Sequence, residues 1–207
     1  MANLNRFITP AGEFIAPQSK NGALMGNRGE LRIIDGKITG KLWVGSSWIY
    51  CTTEEGTSGP NTCKYTKLFF LDEATALAAG HRPCWDCLRP KFYKFMAAWF
   101  KGNSYRDLGA KETAAVMDSE LDKERISKDR TGKGTFTTNL GNLHDGVMVR
   151  RDNQSWLIWQ GSLWMWAPGG YGQPSSIAPD IEVDVLTPRS TCNAIKEGYV
   201  PDVALKV

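Results

Sequence analysis

The residues best equipped for chemistry are five cysteines and two histidines in a chain of 207 residues. Cys84-Trp85-Asp86-Cys87 is a Cys-x-x-Cys pair set just before a helix. Two thiolates at this spacing grip one Zn2+ at about 2.3 Å each. A structural site needs two more donors, and Cys51, Cys63 and His81 lie upstream. Two other readings stand beside zinc. One is a redox dithiol of the thioredoxin type, which wants the pair after a strand in a βαβ unit; the other is packing by buried thiols. Cys192, far along the chain, reads as a core residue of a terminal helix.

Acid–base candidates are few. His144-Asp145-Gly146 opens a strand, and Asp145 is a carboxylate that can activate water or stabilise an oxocarbenium-like sugar in N-glycosidic cleavage. The bland alternative is a turn aspartate. Glu13, Asp72 and Glu73 are weaker acids for this purpose, since helix capping accounts for the last two. For anion binding, Gly26-Asn27-Arg28-Gly29 is a tight loop carrying a cation, whose backbone amides and guanidinium suit a phosphate. Arg82, Arg89, Lys91, Lys94 and Lys101 oppose only Asp86, a local excess that suits a DNA backbone. Trp164, Trp166 and Tyr171 are candidates to stack on or hold a flipped base, with packing of a small β core as the other reading.

The elements that must position these groups follow from periodicity and punctuation. Leu31–Ile34 and Lys41–Val44 read as strands joined through Asp35-Gly36, and Trp48–Cys51 as a third. Lys67–Leu71 is a short apolar run. Asp72 can cap a helix that Gly80 ends. Pro90 fits the first turn of a second helix, in which Phe92, Phe95, Met96, Trp99 and Phe100 share one face. Lys111–Ile126 suits a third, charged helix. Residues 127–142 are polar and Gly-rich and read as a flexible connection. Val147–Arg150, Trp156–Trp159, Leu163–Trp166 and Ile181–Leu186 read as strands, before a short helix ending near Gly198. The expected class is α+β. Residues 1–126 would form a zinc-binding domain and 143–207 a small, mostly antiparallel, Trp-rich β subdomain.

Composition sets the outer bounds. The hydrophobic share is 42% and the charged share 23%, which excludes a disordered or collagen-like chain. No apolar run approaches the roughly 20 residues of a membrane span. Met1–Arg6 lacks an apolar signal core, so the expected location is the cytoplasm, where disulfides are disfavoured. A net charge of +3 permits a nucleic-acid partner without demanding one.

Trp48-Ile-Tyr-Cys51 followed by Leu68-Phe-Phe-Leu-Asp-Glu-Ala-Thr-Ala-Leu-Ala-Ala-Gly-His-Arg-Pro-Cys-Trp-Asp-Cys87 resembles the zinc-binding N-terminal domain of the Ada DNA-repair protein, over roughly residues 43–95. That family binds zinc through four cysteines and binds DNA. Its first cysteine also accepts a methyl group from a DNA phosphotriester. The resemblance implies that Cys51 stands for that first cysteine and Cys84 and Cys87 for the last pair. Cys63, after a longer insertion, stands for the second, with His81 as its alternative. Met25–Gly29 and Leu143–Val149 resemble bacterial proteins of no assigned function. The expectation is a zinc-containing protein acting on modified or damaged DNA, in repair or in anti-phage defence. Glycosylase-like base removal leads, with Asp145, His144 and Cys51 as candidate catalytic groups. Alkyl transfer to a zinc-bound Cys51 and a non-catalytic zinc-stapled module are the alternatives.

Overall fold

The computed structural model describes residues 6–16, 24–29, 32–34, 37–39, 47–52, 66–105, 110–129, 132–176 and 178–205. These form an α+β architecture of two six-stranded sheets and four helices. The first sheet is mixed. It contains β1 (Phe7–Ile8), β2 (Phe14–Ile15), β3 (Leu24–Asn27), β6 (Ile49–Thr52), β7 (Leu68–Phe70) and β8 (Arg82–Pro83), in the order β2-β1-β7-β3-β6-β8. β1 runs parallel to β7, and β6 parallel to β8. A separate ribbon pairs β4 (Arg32–Ile34) with β5 (Lys37–Thr39). The expected strand Lys41–Val44 lies outside the described residues.

The second sheet is antiparallel throughout. Its members are β9 (Phe136–Asn139), β10 (Met148–Arg151), β11 (Gln154–Trp159), β12 (Ser162–Ala167), β13 (Gly170–Ser175) and β14 (Glu182–Val185), in the order β13-β12-β11-β10-β14-β9. The β10–β11 turn has Asp152 and Asn153 at positive φ, as a two-residue hairpin turn requires. The segment 127–142 is more than a connection: β9 forms within it and pairs with β14 over four residues.

Helix α1 (Glu73–Ala78) is buried along its whole length. Asp72 caps it by accepting from the Thr75 amide at 2.9 Å, and Gly80 follows at a φ of 85°. Its alanines let other elements approach closely on every side. Ala76 and Leu77 join a core with Phe70, Phe95, Val149 and Val185, while Ala74 and Ala78 join a second core with Phe7, Leu157, Trp166 and Leu186. Both cores therefore draw on both sheets. Helix α2 (Arg89–Gly102) buries Phe92, Phe95, Trp99 and Phe100, the expected face. Helix α3 (Ala110–Arg125) buries Met117 and Leu121, and α4 (Arg189–Lys196) packs on α2 with Ala194 and Ile195.

At the start of α1 sits a fully buried acid. Glu73 Oε1 accepts from the hydroxyls of Tyr50 and Tyr199. Its Oε2 accepts from Lys91 Nζ at 2.7 Å and from the Asp202 amide at 2.8 Å. Removing the Glu73 carboxylate strips the buried Tyr50 and Tyr199 hydroxyls of this acceptor and leaves Lys91 with Asp202 alone, and breaking a buried charged network from one side costs about 3–5 kcal/mol. Glu73→Ala is therefore expected to lower the urea midpoint by an amount equal to about 3–5 kcal/mol, whereas Ala at the exposed Glu13 should stay within about 0.5 kcal/mol.

Candidate functional site

The thiols are positioned by the parallel pairing of β6 and β8. Tyr50 lies opposite Pro83, and the Cys84 amide donates to the Tyr50 carbonyl at 2.9 Å. Cys51 and Cys84 are thus neighbours across a ladder whose strands stand about 4.8 Å apart. Both are buried, and Cys87 is half-buried one turn further on, where the Leu88 amide donates to the Cys84 carbonyl at 2.9 Å. Cys63 lies outside the described residues. Among the described residues, no three His, Cys, Asp or Glu side chains are grouped to hold a metal ion. Cys51, Cys84 and Cys87 are thus not brought together as a three-thiolate set among the described residues, and the expected zinc site gains no ligand group there.

His81 belongs to a different environment. Its ring packs against Trp48 and Phe70 at centroid distances of 5.1 and 4.7 Å. Its Nε2 accepts from Arg28 Nε at 3.4 Å. Burial, then Arg28, Arg125 and Lys133, hold its pKa well below the usual histidine range. A metal ion on this imidazole would face the same three cations, which weighs against His81 as the ligand.

The basic residues divide sharply. Arg28 and Arg82, expected to face DNA, are buried. Arg28 donates to the Gly12 carbonyl at 3.1 Å and lies 4.2 Å from the Trp48 ring centroid, and Arg125 lies over the same ring at 4.0 Å. Arg82 makes a two-pronged ion pair with Asp118 at 2.7 and 2.8 Å. Asn27 turns inward locally, accepting from the Gly29 amide at 3.4 Å. Lys91 is held by Glu73 and Asp202. Arg89 and Lys94 remain exposed. Arg89 stacks on Trp85 at 4.7 Å, beside Tyr93, which is 41% exposed. Of the described cations in the expected set, Arg89, Lys94 and Lys101 on α2 are exposed, with Lys101 paired to Glu197 at 2.7 Å, whereas Arg28 is not.

The aromatic cluster of the second sheet faces inward. Trp166 donates from Nε1 to Thr75 Oγ1 at 3.0 Å, and Tyr171 from its hydroxyl to Asp72 at 2.7 Å. Trp164, half-buried, donates to the Trp159 carbonyl at 3.1 Å. These rings pack the second core, and their polar atoms are engaged.

His144 and Asp145, both exposed, stand at the rim of a 520 Å3 cavity. Its walls are mainly apolar: Leu140, Leu143, Ile158, Leu163, Ile195 and Tyr199. Asp145 Oδ2 accepts from the Gln160 amide at 2.9 Å, which fixes the carboxylate and leaves its other oxygen open to a further donor. Two clefts adjoin this cavity. One, of 160 Å3, shares Leu143 and His144 and adds Arg189, Asn193 and Lys196. The other, of 620 Å3, shares Tyr199 and Val200 and adds Lys91, Lys94 and Lys101. The apolar chamber with Asp145 in its lining thus adjoins a cleft with two cations and a second cleft in which Glu197 pairs with Lys101 at 2.7 Å and Asp202 with Lys91. Arg189 and Lys196 were not singled out from sequence. Their seven-residue spacing along α4, one face of a helix, is the signal that could have found them.

No family model, curated protein or solved structure matches the chain.

The crowding of buried cations around Lys133 has a consequence for stability. Desolvation, followed by Arg28 and Arg125, pulls the Lys133 amine from an ordinary 10.5 down to about 7. Between those two values the unfolded chain binds the proton and the folded chain does not, so stability rises with pH across that window. Lys133→Met should remove this rise. Urea melts from neutral to alkaline pH, run in parallel on both proteins, measure it. An unchanged slope would place the amine in water.

Proposed function

We propose that this protein is a zinc-containing, DNA-binding hydrolase that removes a modified or damaged base. The observation that carries the reading is the 520 Å3 apolar cavity lined by Asp145 and His144, with Arg189 and Lys196 in one adjoining cleft and Lys91, Lys94 and Lys101 beside Glu197 and Asp202 in the other. Its volume falls within the range of ligand pockets, about 300–1,000 Å3. A flat heterocycle is mostly apolar and suits walls of Leu140, Leu143, Ile158 and Leu163. The strand on either side of an extruded nucleotide carries phosphates, and Lys94, with Lys101 once it exchanges Glu197 for a phosphate, on one side and Arg189 and Lys196 on the other would supply their counter-charge. Asp145, held by the Gln160 amide, is placed to stabilise positive charge developing on the sugar or to take a proton from attacking water. The departing base leaves with a proton, and His144 at the same rim is the group to supply it.

Zinc in this reading is structural, held by Cys51, Cys63, Cys84 and Cys87. The burial of Cys51 within β6 favours a staple over a nucleophile that a DNA phosphotriester must reach. A zinc ion held by these thiols would tie β6 to the turn before α2, the helix that carries Lys94 and Lys101.

Two measurements test the reading separately. Elemental analysis should give one equivalent of zinc, lost in Cys84→Ser. Incubation with a panel of modified-base oligonucleotides should yield abasic sites. Asp145→Asn is then expected to slow the reaction by about 100-fold or more with the fold intact. Lys94→Glu with Lys101→Glu should weaken DNA binding and flatten its salt dependence. Absence of abasic sites across the panel would remove base removal, and an unchanged gel shift in the lysine variant would remove the α2 interface.

A further inference from the structure

The 160 Å3 cleft beside the apolar cavity is built from one face of a helix and one face of a strand. α4 turns Thr191, Ala194 and Ile195 into the core. Arg189, Cys192, Asn193 and Lys196, at i, i+3, i+4 and i+7, form the face that lines the cleft. Phe136 and Thr138, two apart on β9, share one side of that strand and supply a second wall. Leu143 and His144 belong to this cleft and to the 520 Å3 cavity alike, so the two spaces are continuous through them.

The cleft carries Arg189, Lys196 and His144, and no carboxylate is among the described residues of its wall. Asp145 lines the apolar cavity, Glu197 and Asp202 the cleft along α2, and Glu124 the cleft at the end of α3. Arg189 is oriented by a ring instead of an acid: its guanidinium carbon lies 3.9 Å from the Phe136 ring centroid. Stacking holds the guanidinium plane and leaves the N–H groups at its edge to donate. The carboxylate within its electrostatic range, Glu124, is taken up by the Ser190 amide at 3.0 Å and hydroxyl at 2.6 Å. Lys196 is exposed on the last turn of α4 and has no ion pair among the described residues. Asn142 donates to Thr138 Oγ1 at 3.2 Å, which leaves the hydroxyl hydrogen for another acceptor. Asn193 is tied to Asn103 at 2.9 Å and adds no donor. Cys192 is a thiol, pushed up to about 12 mainly by burial, and adds no negative charge.

Ligand pockets begin at about 300 Å3. A cleft of 160 Å3 therefore holds a group and not a whole molecule, and the rest of that molecule lies in the adjoining cavity. Two cations and a hydroxyl with no opposing acid select an oxyanion, and the paired N–H edge of an arginine fits a phosphate. We infer that this cleft is a phosphate subsite and that the two spaces together take one nucleotide unit, a flat base with its phosphate a sugar's length away. The assignment rests on the reading of the larger cavity as a base pocket. It goes further in making Arg189 and Lys196 the anchor for a single phosphate, with Thr138 as a further donor. A phosphate held here sets the register of the nucleotide and carries no base preference, which is left to the cavity.

The nucleotide unit can be a free nucleoside monophosphate or one residue of a DNA strand. Binding to the full-length protein is measured by titration calorimetry at fixed low salt with two matched pairs of probes. One pair is the 5′-monophosphates of the four common deoxynucleosides against the same nucleosides without phosphate. The other is a short single-stranded oligonucleotide against its neutral methylphosphonate form. In at least one pair the phosphate is expected to tighten binding by at least about tenfold, equal to about 1.4 kcal/mol. The pair that shows the gain identifies the source. Arg189→Gln and Lys196→Gln should each remove most of the gain, and Lys67→Gln, at an exposed position away from every cleft described, should keep it. Lys196→Gln carries the test if loss of the Phe136 contact unfolds Arg189→Gln. No gain in either pair, a gain that survives both substitutions, or one that falls equally in Lys67→Gln would overturn the subsite. Only binding is read, so the result does not depend on base removal. Abasic-site formation without a phosphate gain would overturn the subsite and leave the base pocket in place.

Discussion

Two adjacent carboxylates at the start of α1 hold the molecule together. Asp72 and Glu73 are both buried, and burying an unpaired carboxylate is costly. Each of their four oxygens instead receives two donors. Asp72 Oδ1 takes the Thr75 amide and hydroxyl, and Oδ2 takes the Tyr171 hydroxyl and the Ala204 amide. Glu73 takes Tyr50, Tyr199, Lys91 and the Asp202 amide. These donors come from β6, α1, α2, β13 and the chain after α4. None of those pieces satisfies the pair alone. The carboxylates are fully solvated by protein only when both sheets, α2 and the final segment are all in place, so the penalty for a partial assembly falls on a buried charge. Such a network favours a unique arrangement more than it adds net stability.

Positive charge is buried around Trp48, and there the balance is different. Arg28 and Arg125 lie over the Trp48 ring, and His81 and Lys133 lie within electrostatic range of both. Arg125 has Asp122 at 3.0 Å. The indole supplies part of what carboxylates supply in the acid pair, because a ring face is electronegative and adapts to a planar guanidinium. It cannot accept directional hydrogen bonds from an ammonium, and the histidine and lysine respond by favouring their neutral forms. The acid pair is thus saturated by its donors, while around Trp48 burial and neighbouring cations hold His81 and Lys133 toward their neutral forms.

Elements with strong local signals were legible in the sequence. The Asp72 cap, the apolar face from Phe92 to Phe100 and the β10–β11 hairpin depend on residues a few positions apart. Two-residue strands such as β1, β2 and β8 have no periodicity to read. β9 and β13 lie at sheet edges, and their Thr, Gly and Pro content looks like loop because an edge strand needs little apolar alternation. The site residues failed in a characteristic direction. Charge counting placed Arg82 on a surface, and a Gly-flanked loop did the same for Arg28, but sequence proximity carries no information on burial, and Asp118, the partner of Arg82, is 36 residues away. Glu73 looked like an ordinary first-turn acid because its donors arrive from as far as 129 residues along the chain. That Cys51 and Cys84 are neighbours follows from a parallel ladder of two residues, a pairing that spacing alone does not reveal.

The acid pair and the apolar cavity are linked through the last stretch of chain. Tyr199 donates to Glu73 and also lines the cavity. Two residues further, Pro201 packs on Gly146, where a Cβ would lie 2.5 Å from the proline ring. Gly146, at a φ of 98°, directly follows Asp145. The position of the rim carboxylate therefore depends on the segment that the buried carboxylates tie down, as well as on the Gln160 amide. A substitution at Gly146 would disturb Asp145 by steric pressure from Pro201, and loss of the Glu73 acceptor would release the same segment from the other end. The constraint that makes the fold unique is in this way also the constraint that shapes the candidate site.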